Sequence, residues 1–119
     1  LEEQRRRDNA LVNTYTTETE IGEARDRAIA GAMQARQAIE SRYKTALSRL
    51  DGTAKQIAAQ RKTGKPLPEA LAEDHAGHQR EVDKIAADMR AKEGEIQRLR
   101  DKYEADTLRF RELTAGGKR

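Results

Sequence analysis

The chain contains no cysteine and no tryptophan, only two prolines, and only four aromatic residues, Tyr15, Tyr43, Tyr103 and Phe110. Without cysteine there is no disulfide and no thiolate metal ligand, and the redox compartment is left open. At 119 residues the length fits one domain, but so few large rings do not fill an ordinary globular core. No stretch approaches the ~18 consecutive apolar residues of a membrane-spanning helix. The chain begins at Leu1 rather than Met and lacks the apolar run of a signal peptide. It is therefore expected to be a fragment or a processed chain.

What the chain does have is charge, on 38% of its residues. Such a composition suits either a disordered segment or a long, regularly patterned helix, and periodicity decides for helix. Leu71, His75, His78, Val82, Ile85, Met89, Lys92, Ile96, Leu99, Tyr103, Asp106, Phe110 and Leu113 follow one another at alternating spacings of four and three. That is a heptad with a at His75, Val82, Met89, Ile96, Tyr103 and Phe110, and d at the rest. A 3.5-residue repeat implies a left-handed coiled coil.

The first half carries a weaker version. Ile29, Tyr43, Leu50 and Ile57 take a, with Arg36 interrupting; Ala32, Ile39 and Ala46 take d; Met33, Leu47 and Ala54 widen the stripe at e. A stripe that includes e suits a helix touching more than one neighbour. Between the halves, Gly64 can end a helix in the left-handed conformation. Pro66 turns Lys65 away from helix, and Pro68 suits a first helical turn. So short a connection sets two helices side by side and antiparallel.

The expected fold is therefore all-α: an antiparallel two-helix coiled-coil hairpin over residues 17–114, with room to pair into a four-helix bundle. Its helices cover 17–62 and 69–114, joined by a turn at 63–68. Thr17-Glu18-Thr19-Glu20 reads as a capping box opening the first of them. Residues 1–16 form an extension able to make a short helix with Leu11, Val12 and Tyr15 as its apolar face, projecting past the hairpin's open end with nothing to cover it. Residues 115–119 are expected to be a disordered tail. Two registers are open, placing Leu50 opposite His78 or opposite Ile85. The second is favoured because it keeps Arg36 away from Lys92.

From Glu18 to Lys62 nine basic residues face six acidic ones, and from Glu69 to Leu113 nine basic face twelve acidic. The halves are complementary, whereas a nucleic-acid binder shows a one-signed basic stripe. Arg5-Arg6-Arg7 and Lys118-Arg119 are basic clusters without an aromatic platform. No nucleic acid is expected as a partner.

His75 and His78, with Asp74 and Glu81 beside them, admit a metal site or a protonation switch. With only two histidines and no third convergent ligand, loosely packed polar core positions near the turn are the better account, and no metal or other cofactor is expected. Lys92, Arg25 and Arg36 are expected to snorkel from the seam; the shorter Asp106 could equally fix register through a basic partner. No catalytic residues stand out, because the carboxylates line solvated faces and a two-helix pair offers no water-excluding pocket.

Two segments resemble a known group. Arg7-Asp8-Asn9-Ala10-Leu11-Val12-Asn13-Thr14-Tyr15-Thr16-Thr17-Glu18-Thr19-Glu20-Ile21 with Ala24-Arg25-Asp26-Arg27, and Lys102-Tyr103-Glu104-Ala105-Asp106 with Arg109-Phe110-Arg111-Glu112-Leu113, are similar to the C-terminal coiled-coil region of uncharacterised exported proteins of Gram-negative bacteria. The resemblance implies a periplasmic or envelope location and contributes no site residues. The expected function is a non-catalytic structural or protein-interaction module (a spacer, dimerisation or docking element) that forms a homo-oligomer or meets an unidentified protein partner. The alternative is a binding module for an anionic ligand such as nucleic acid or a membrane surface, or a weak metal site at the histidine pair.

Overall fold

The computed structural model describes residues 1–117, and within them every regular element is helical: α1 (Glu2–Thr14), α2 (Glu18–Lys62) and α3 (Glu69–Gly117). The boundary of α2 follows from its cap. The Thr17 hydroxyl accepts the Glu20 backbone N–H at 3.3 Å, and the Glu20 carboxylate accepts the backbone N–H groups of Thr16 and Thr17. Two donors that the first turn would leave unsatisfied are thereby bonded, independently of α1. At the other end Gly64 adopts φ +72°, its N–H bonds the Arg61 carbonyl at 3.2 Å, and Thr63 Oγ1 bonds the Gln60 carbonyl. Pro68 then opens the next turn, with its carbonyl accepting the Ala72 N–H.

α3 runs three residues past its expected end, so Ala115–Gly117 are helical rather than tail. Thr114 Oγ1 bonds the Phe110 carbonyl within that last turn, and nothing in Ala-Gly-Gly removes a backbone donor as proline would. Lys118 and Arg119, also assigned to the tail, lie outside the described residues.

Contacts divide the chain into two compact units, 34–93 and the remainder. In unit 34–93, Ala46, Val82 and Ile85 form a buried cluster against which Ile39, Tyr43 and Leu50 pack. Thr53 Oγ1 meets His75 Nδ1 at 2.8 Å, and Arg36 donates to Glu93 at 2.9 Å. Ascending residues of α2 thus meet descending residues of α3. These partners set Leu50 level with His78, one heptad from the favoured register. The anticipated clash of Arg36 with Lys92 does not arise, because Arg36 swings to Glu93, the next residue along.

In the other unit α1 is not left uncovered. Asp8 accepts two hydrogen bonds from Arg109, at 2.7 and 3.0 Å, and its side chain is only 17% exposed. Leu11 and Tyr15 are half-buried while Val12 stays exposed. Glu18 of α2 accepts from Arg111 of α3 at 2.9 Å. The core here holds Ile21, which is fully buried, with Ala32, Ile96 and Phe110. Three helices contribute to this unit, and a third helix can close a side that a two-helix seam leaves to water.

Apart from Arg25, which is exposed, every a and d position read from the heptads is buried or half-buried in both α2 and α3, while Met33, Leu47 and Ala54 at e are exposed. The polar interruptions behave unequally. Arg25 does reach outward, to its neighbour Asp26. Arg36 does not simply snorkel: it spans to Glu93, and its Nε is buried without a hydrogen-bond partner. Asp106 accepts from Lys102 one turn back on its own helix.

Candidate interaction surface

Unit 34–93 presents two unlike flanks. On one, Arg42, Arg49 and Glu81, all g positions, line a single groove with Ser41, Thr45, Ala46 and Ile85. In an antiparallel pair the g positions of both helices share one side, so the e positions share the other. That second flank carries Glu40, Leu47 and Ala54 from α2 with Ala72, Gln79, Ala86 and Glu93 from α3. Leu47 is 39% exposed, Ala54 and Ala72 are exposed, and Ala86 is half-buried. The α3 contribution escapes a reading of each helix alone. It follows only once Thr53–His75 and Arg36–Glu93 fix which faces meet. In the other unit Met33, also at e, is 46% exposed.

The histidine pair divides. His75 bonds Thr53, a buried d residue that the apolar pattern passed over, whereas His78 is half-buried beside it on the helix. A hydroxyl at that position signals a polar partner across the seam. Among the described residues, no group of three or more His, Asp or Glu side chains is placed to hold a metal ion. No helix among them is long and apolar enough to cross a membrane.

The strongest electrostatics lie where α1 meets α3. The Arg109 guanidinium, donating to Asp8, pulls that carboxyl down to about 2 against the opposing effect of burial. Asp8 and then Glu112 in turn raise the Arg109 pKa. Beside them, burial alone would lower Lys102, but its bond to Asp106 raises it; the ammonium also sits 4.3 Å over the Tyr103 ring. Gln4, Leu11, Tyr15, Ala105 and Asp106 help line the shallow space between α1 and α3 there. These groups satisfy one another, as clamps do. No protein-family model, curated protein or solved structure matches this chain.

Proposed function

We propose that the chain is a non-catalytic protein-interaction module. In this reading α2 and α3 form an antiparallel coiled-coil hairpin, and its e-position flank packs against a second copy to give a four-helix bundle. The observation that carries it is the contrast along α2 within unit 34–93: its a and d residues are buried or half-buried, while Leu47 at e remains in water. Burying a leucine is worth roughly 1.5–3 kcal/mol, so a partner supplying apolar cover on both halves of a symmetric contact gains several such increments. Alanines around Leu47 let a second backbone come close. The ionised side chains bond one another (Asp8 with Arg109, Glu18 with Arg111, Glu93 with Arg36), which supports a structural rather than a catalytic role. Residence in the periplasm or envelope rests on the resemblance of residues 7–27 and 102–113 alone, and fractionation of producing cells tests it.

Sedimentation equilibrium at micromolar concentration tests the association. The expected result is a dimer that Leu47→Glu shifts to monomer without loss of helix by circular dichroism. A wild-type chain that stays monomeric and fully helical across the concentration range refutes it.

A further inference from the structure

We propose that α1 is a latch, which docks on the Lys102–Arg109 face of α3 and leaves it in one cooperative step, pivoting at Tyr15–Thr17 and losing its helix, while α2 and α3 keep their structure. α1 contributes no buried residue. Its sheltered side chain is Asp8, held by two bonds to Arg109, with Leu11 and the adjoining Tyr15 half-buried nearby. The Arg109 side chain is 41% exposed, so water and salt reach the pair and weaken it.

A hinge is present as well. Tyr15 leaves the helix in an extended conformation, φ −119° and ψ 141°. The start of α2 is capped by its own Thr17 and Glu20, so departure of α1 uncaps nothing. A 13-residue helix is marginal alone in water, so α1 should lose its helix when it undocks. A helix held to its neighbour by few apolar contacts and a partly exposed ion pair lies at the low end of local opening free energies.

Hydrogen exchange on the full chain, read by mass spectrometry, tests this. Amides of residues 2–14 should exchange far faster than those of 39–57, and molar salt should accelerate the first set alone. Arg109→Gln should raise α1 exchange by about fivefold, the upper range for a partly exposed ion pair, leaving 39–57 unchanged. The exchanged pair Asp8→Arg/Arg109→Asp should restore protection, which separates latch loss from general unfolding. Exchange of α1 in step with 39–57, or indifference of α1 to both Arg109→Gln and salt, overturns the proposal.

Discussion

Two side chains show how a polar residue can hold this structure. Asp8 is pulled down to about 2 by the Arg109 guanidinium, against about 3.9 for an unfolded aspartate. A carboxyl whose pKa falls on folding stabilises the docked state above its unfolded pKa, and that contribution fades as pH drops through the folded value. Helix α1 should therefore remain docked at pH 5 and loosen between about pH 4 and 2. Amide exchange or NMR shifts of residues 2–14 across that range would show it, and Asp8→Asn should remove the step. Thr53 is the second case. Its hydroxyl, itself buried, meets His75 across the seam at 2.8 Å. Thr53→Val keeps the volume and leaves His75 without that bond, so urea unfolding should report a loss of about 1 kcal/mol. In a His75→Leu background the same change should cost much less, and zinc should not raise the melting temperature of the wild-type chain. A zinc-dependent rise of many degrees would make the histidines ligands after all.

At the scale of the element, two glycines should respond to alanine with opposite signs. Gly64 holds φ +72° at the end of α2, where a Cβ meets no neighbour but strains the backbone. Gly64→Ala should cost about 1–2 kcal/mol. Gly52 lies inside α2 with helical geometry and open space around a built Cβ. Gly52→Ala should gain up to about 1 kcal/mol from helix propensity. Thermal melts of the two variants decide it, and two changes of the same sign would contradict the turn geometry. How much was legible in the sequence differs by element for physical reasons. The seam of α3 could be read because thirteen successive a and d residues keep one period, and each is sheltered in the structure. The register could not, because a shift of one heptad returns apolar residues to apolar residues. Polar reach decides it, through Thr53 to His75 and Arg36 to Glu93. Docking of α1 was hidden for a different reason: Asp8 and Arg109 stand 101 positions apart and neither belongs to an apolar pattern.

For the molecule as a whole, the proposed association makes different predictions for the two flanks. The exposed e positions were apparent from the first heptads, but their neighbours on α3 were not, since Ala72, Gln79 and Ala86 look unremarkable until the faces are matched. Both flanks of unit 34–93 offer something to a partner. The e flank offers Leu47 among alanines, and the g flank offers Arg42 and Arg49 beside Glu81. The physics of the two contacts differs. Apolar burial is insensitive to moderate salt, whereas exposed charge pairs contribute about 1 kcal/mol or less each and fade as ionic strength rises. If the e flank is the contact, Ala86→Glu on α3 should dissociate the dimer as Leu47→Glu does, because it places a carboxylate in the same buried strip. Arg49→Gln on the opposite flank should leave the dissociation constant nearly unchanged, and raising salt to half-molar should not dissociate the wild type. Sedimentation of the three variants at two ionic strengths separates the cases. A dimer that survives Ala86→Glu and Leu47→Glu but falls apart with Arg49→Gln or salt would move the interface to the charged side, leaving Leu47 as an ordinary exposed leucine.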